Sequence, residues 1–195
     1  MTPLTPTPPT DPPTSAASSI PSPGSSPDLL RIVRDYARAA RAYDAMAVRL
    51  REAAPASAAL EVGEQGAAIL AIVHGCAADC LGRGAQAARD AAGRLCVWGG
   101  LSVEFAENGS AGAEVASPDV ATASAPSGGF FARWYEGMAK ELYSWVELLA
   151  DDAEAAVDQT GDRALVGDTH PYGDVIYGIV IPYLFRAADV LRGVE

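Results

Sequence analysis

The sequence predicts an all-α fold: a single bundle of about five helices, with one long glycine- and serine-rich loop and a disordered N-terminal arm. Three observations carry this. Leu29, Ile32, Val33, Tyr36, Ala40, Tyr43, Ala47 and Leu50 recur at helical spacing and draw one apolar stripe. Residues 57–81 are almost continuously apolar, as a central helix buried on most sides would be. Phe131, Trp134, Tyr135, Met138, Leu142, Trp145, Leu149 and Ala153 then share one face of a helix over residues 130–157. A chain of 195 residues, 49% of them hydrophobic, is long enough for one sizeable core and too short for two.

Taken in order, residues 1–27 form the arm, rich in Pro, Ser and Thr and with almost nothing to pack. The folded domain is residues 28–195. Its first helix starts with Ser26 or Asp28 as cap and ends near Ala54, ahead of Pro55. Gly82 and Gly84 interrupt the central pattern, so a separate third helix is expected over residues 85–97, weakened by Gly93. Around Gly99-Gly100 the alternating apolar residues fit a helix start and a tight hairpin equally well. Residues 108–129 turn to Gly, Ala, Ser and Pro and read as a mobile loop. After residues 130–157, a loop over 159–173 leads to a last element, residues 174–192. Its Pro182 favours a kinked helix over the strand that its β-branched run also suits.

Charge is unevenly spread. With 14 Lys and Arg against 25 Asp and Glu the formal net charge is -11, which argues against nucleic acid or an anionic membrane as partner and suits binding to a basic protein surface. Residues 28–103 hold eight acids against nine arginines, whereas residues 104–195 hold sixteen acids against five bases. Arg31, Arg34, Arg38 and Arg41 share one face of the first helix. Glu147, Asp151, Glu154 and Asp158 line one face near the C-terminal end of theirs, where the helix dipole disfavours negative charge. The two faces are candidate partner-binding surfaces, or they pair with each other within the chain or across a homodimer. Arginine far outnumbers lysine, Lys140 being alone, as in proteins from GC-rich bacterial or large viral genomes.

Cys76, Cys80 and Cys96 are an odd set with no secretory leader before them, which points to a reducing, cytoplasmic setting without a disulfide framework. The longest apolar runs, residues 67–73 and 175–185, fall short of the roughly 20 needed for a membrane span, and none is expected. No nucleophile elbow, phosphate-cradling loop or zinc-protease histidine pair is present. Cys76 and Cys80 lie one turn apart, but His74 points away from them, so they read as small core residues and no metal or other cofactor is expected. Glu61 and Glu64 resemble half of a paired-carboxylate magnesium site, but a convincing second half is missing: Glu147 and Asp151 are four apart, and Glu104 and Glu107 lie near a glycine-rich loop.

The segment Val97-Trp98-Gly99-Gly100, followed by residues 101–109, resembles the first homology segment of the Bcl family of apoptosis regulators, where Asn-Trp-Gly-Arg opens a central helix. Ala59-Leu60-Glu61-Val62-Gly63-Glu64 is similar to the same family's death-helix segment. Gly100 stands where the family has arginine and Ala59 where it has leucine. The resemblance implies a groove lined near Trp98, Leu101 and Phe105 that takes an amphipathic helix of a partner, in apoptosis or signalling inhibition. The expected function is therefore a non-enzymatic protein-binding regulator; a small metal-dependent all-α hydrolase is the alternative.

Overall fold

The computed structural model describes residues 27–58, 60, 62–101 and 127–193, and among them the regular structure is helical throughout. Helix α1 spans Pro27–Ala58, α2 Gly63–Trp98 and α3 Gly128–Thr160. A short 3-10 turn, Arg163–Leu165, then precedes α4, Thr169–Val175. A π-helical turn, Ile176–Val180, carries the chain into α5, Ile181–Arg192. The predicted arm and most of the predicted loop lie outside the described residues.

Helix α1 opens on Pro27, whose fixed φ suits a first helical residue, and its predicted stripe is buried from Leu29 to Leu50. It runs past its predicted end at Ala54. Pro55 removes only the bond to the Arg51 carbonyl, a loss confined to the last turns.

The two helices predicted over residues 57–81 and 85–97 are one helix, α2. A helical glycine costs about 1 kcal/mol relative to alanine, but here the same face buries Leu70, Val73, Leu81, Ala85, Ala88, Ala91 and Leu95, and packing decides the outcome. Gly84 is required by its neighbours: a Cβ there would lie 3.0 Å from Ile176 Cδ1 and 3.3 Å from Tyr43 Cδ2. Continuity also changes the membrane reading. One 18-residue window of α2 reaches a mean hydropathy of 1.3, so this helix is long and apolar enough to cross a bilayer, although 39% of that window is buried inside the bundle.

Trp98-Gly99-Gly100 closes α2, and residues 102–105 of the ambiguous stretch lie outside the described residues. The Leu101 N–H reaches back to the Cys96 carbonyl (2.9 Å), the Gly99 N–H to that of Leu95 (2.9 Å), and Gly100 takes φ +63°. Helix α3 is capped at both ends, the Ser127 side chain accepting from the Phe130 N–H and Gly161 closing in the left-handed conformation. The last element is helical, as preferred over a strand. It begins earlier than predicted, at Thr169, and the π turn lies just before Pro182, which sits at the second position of α5 where its missing N–H costs little.

Helix α1 packs on α2 and α3, and α5 packs on the same two, so the four long elements form a square with α2 and α3 on one diagonal. Every adjacent pair is antiparallel. Arg51 meets Asp79 and Leu29 meets Gly99 between α1 and α2; Arg31 meets Asp152 between α1 and α3; Glu136 pairs with Arg192 between α3 and α5; Gly66 lies against Val190 between α2 and α5. The diagonal helices consequently run parallel, and Leu101 and Ser127 lie at opposite ends of the bundle. Replacing Gly84 by valine forces Tyr43 and Ile176 apart, with an expected loss of about 1–3 kcal/mol in urea unfolding.

Candidate functional site

Among the described residues, polar groups concentrate at the end of the bundle where α1 begins and α3 ends, on the diagonal of the core, and on the outer surface of α3 with the C-terminal segment.

At the bundle end, the predicted arginine face is partly used inside the protein. Arg31 Nη1 donates to Asp152 Oδ1 (2.7 Å) and to Asp35 Oδ2 (3.3 Å), and Arg38 Nη1 donates to Asp35 Oδ1 (3.5 Å) while its guanidinium lies over the Trp145 ring. Arg34 and Arg41 are exposed. Asp152 is only 1% exposed, and its Oδ2 has no hydrogen-bond partner among the described residues. Burial therefore raises its pKa above the usual carboxylate value, with Arg31 pulling the other way. The sequence did carry a signal for this acid: Asp152 lies seven residues after Trp145 and three after Leu149, on the apolar side of α3.

Two tyrosines stand behind this pair. Burial pushes Tyr36 up to about 12, opposed by Thr169 and Arg94 and reinforced by Asp152. Thr169 Oγ1 donates to the Val166 carbonyl (2.8 Å), and Arg94 Nε donates to the Leu165 carbonyl (2.9 Å), tying the segment after α3 to α2. Tyr43, 2% exposed, has its pKa raised chiefly by burial, and its hydroxyl has no partner among the described residues. An unsatisfied buried hydroxyl costs about 1–3 kcal/mol relative to a phenylalanine of the same shape. Tyr43 lines a cavity of about 50 Å³ between the helices, walled by Ala88, Val146, Leu149, Ala150 and Ala153, with Thr169 and Tyr172 also on its rim.

Across the diagonal, His74 does point away from the cysteines, as expected. Its Nδ1 lies 2.6 Å from the Leu70 carbonyl, which can only accept, so Nδ1 carries the proton and Nε2 accepts from the Tyr135 hydroxyl at 2.5 Å. Cys76 is exposed and Cys80 half-buried, which corrects the reading of both as core residues; Cys96 is buried. Among the described residues no group of three or more His, Cys, Asp or Glu is placed to hold a metal ion. Glu61, Glu104 and Glu107 lie outside the described residues. Glu64 is exposed near the Val190 end of the bundle, while Glu147 and Asp151 lie eleven and fifteen residues beyond Glu136, about 16–22 Å along α3 from that end.

On the outer surface, Glu147, Asp151, Glu154 and Asp158 are all exposed and do not meet the α1 arginines, since the contact to α1 is made by Asp152 on another side of α3. Beside them Tyr143 and Tyr177 pack ring against ring, 5.7 Å between centroids, while remaining 40% and 53% exposed. The Tyr143 hydroxyl is held up in pKa first by its hydrogen bond to Glu147. Sequence reasoning missed this aromatic surface, taking residues 175–185 only as one apolar run; within it Tyr177, Ile179, Tyr183 and Phe185 are exposed. Trp98 is half-buried beside an exposed Val97 and lines a shallow groove with Arg89, Arg94 and Leu165. Leu101 is half-buried, and Phe105 lies outside the described residues.

Compared with known proteins, the chain matches no family model, no curated protein and no solved structure.

Two measurements check this interior. Arg31→Ala strands the buried Asp152 carboxylate and is expected to cost about 1–2 kcal/mol in urea unfolding, the figure being reduced because the guanidinium is half in solvent. Asp152→Asn, which removes the buried charge, should cost less. For His74, burial lowers the pKa from 6.5, so just below that value the unfolded chain binds a proton that the folded chain refuses. Stability is thus fully present above 6.5 and falls as the pH drops. The loss between pH 7 and 5.5 should be smaller in His74→Gln than in the parent protein, although the variant starts from a lower stability.

Proposed function

We propose that this protein is a non-enzymatic helical interaction module that binds a basic protein surface through the outer face of α3 and the C-terminal helical segment. The observation that supports this most is the exposed Tyr143–Tyr177 pair beside the carboxylates of Glu147, Asp151, Glu154 and Asp158. Large aromatic side chains give contact area at low entropic cost and take arginine or lysine over their faces, while acids alongside steer a cationic partner and disfavour others. The first half of the fold, nearly neutral, contributes the bundle against which this face is held.

The test is a titration with an arginine-rich helical peptide at low and high salt. Tight binding at low salt that weakens with salt is expected. Tyr177→Ala should weaken it about tenfold, the size of a modest hot spot. Glu147→Gln with Asp151→Asn should flatten the salt dependence. Binding that follows the acids but ignores Tyr177 would reduce the reading to bulk charge, and no binding at low salt would end it.

A second reading rests on the groove beside Trp98. Val97 is 78% exposed next to that half-buried indole, and a Bcl-like module would take an amphipathic helix there, as part of an apoptosis or signalling regulator encoded by a bacterium or virus. Trp98→Ala should then weaken an amphipathic peptide and leave an arginine-rich one unaffected. An unchanged affinity for the amphipathic peptide excludes it.

A further inference from the structure

We propose that the cavity walled by α1, α2, α3 and α4 is a binding site for the uncharged, hydroxyl-bearing end of a small apolar molecule. The rim of the site borders the α3 outer face, since Ala150 lies between Glu147 and Glu154 on it, but the proposal does not depend on the reading given above. Tyr43 is the key residue. Its ring is held in place by Gly84 and Ile176, its hydroxyl is 98% removed from solvent along with the rest of the residue, and no described group hydrogen-bonds to it. A phenylalanine would fill that space without the desolvation cost, so the oxygen is accounted for by a partner that enters through the cavity Tyr43 lines.

The walls define what that partner is. Ala88, Val146, Leu149 and Ala153 offer apolar contact in the interior, and the one charged residue of the lining, Asp174, is exposed at the rim, so a carboxylate would be repelled and a charged end that reached the interior would be stranded. A volume of about 50 Å³ takes roughly two to four non-hydrogen atoms. The ligand is thus a short alcohol, or a longer chain whose hydroxyl end enters while the remainder leaves past Tyr172. A Tyr hydroxyl both donates and accepts, which matches an alcohol at either role. With so few atoms buried, the short probe should bind in the millimolar range.

The experiment follows methyl NMR signals of Val146 and Leu149 in the full chain, titrated with 1-propanol, propionate and propylammonium. Saturable shifts with 1-propanol and none with propionate are expected, and any shifts from propylammonium, whose charge Asp174 at the rim would hold, should be insensitive to Tyr43→Phe. Tyr43→Phe should weaken them about tenfold while leaving the unfolding midpoint unchanged or higher, a combination that a structural role for the hydroxyl would not give. Ala150→Leu, a change at an exposed rim position, should block the shifts without unfolding the protein. Shifts that stay linear and touch methyls throughout the protein would overturn the proposal. So would equal binding by Tyr43→Phe, or a loss of stability in that variant.

Discussion

Small side chains along one side of α2 set the spacing of everything else. Gly66, Ala77, Ala78, Gly84, Ala85, Ala88, Ala91 and Ala92 are all buried, and through them α1 approaches on one flank and the C-terminal segment on the other. The partners answer with large residues: Tyr43 and Ile176 close over Gly84, Leu29 over Gly99, Val190 over Gly66. Large-into-small packing of this kind leaves little tolerance for an added methyl group, because interiors are filled to near-crystalline density. The π turn belongs to the same arrangement. It brings Ile176 against Gly84 and re-phases the segment ahead of Pro182, so that α5 still buries Leu184, Ala187 and Leu191.

The polar groups inside this frame are few and clustered, and they differ in how completely they are satisfied. His74 and Tyr135 satisfy one another and a backbone carbonyl across the diagonal. Asp152 has one oxygen held and one not, and Tyr43 has none held within the described residues. Buried polar groups ordinarily find partners, so the side of the core that carries these two differs in kind from the diagonal. The diagonal pair orders the core. The Tyr43 hydroxyl keeps hydrogen-bonding capacity in reserve midway along α1, and that is where the cavity lies.

How much of this was legible in the sequence depended on whether a signal was local. The stripes of α1 and α3 were read correctly because each helix has one apolar side and one wet side. α2 was divided in two because Gly82 and Gly84 count against a helix when judged by propensity; the reason Gly84 is there is Ile176, ninety-two residues away. Gly99-Gly100 fitted a helix start and a hairpin equally; hydrogen bonds to Leu95 and Cys96 give it a third role, the end of α2, which propensity alone did not suggest. The acid stripe of α3 was legible as exposed, but its expected counterpart was misplaced. Arg31 pairs with Asp152, an acid adjacent in sequence to the stripe and about 100° away from Asp151 around the helix. Tyr43 was read as core, which it is; that its oxygen lacks a partner is a property of several helices at once.

The parallel diagonal of α2 and α3 bears on how the chain assembles. α1 with α2, and α3 with α5, are antiparallel pairs of neighbours in sequence, and each can close with a short search. Joining them pairs surfaces drawn from distant halves of the chain. The molecule is in this sense two helical hairpins docked face to face. Asp152 with Arg31, His74 with Tyr135 and Arg94 with the Leu165 carbonyl are polar contacts that one half makes on the other, so specific hydrogen bonds register the docking of the two.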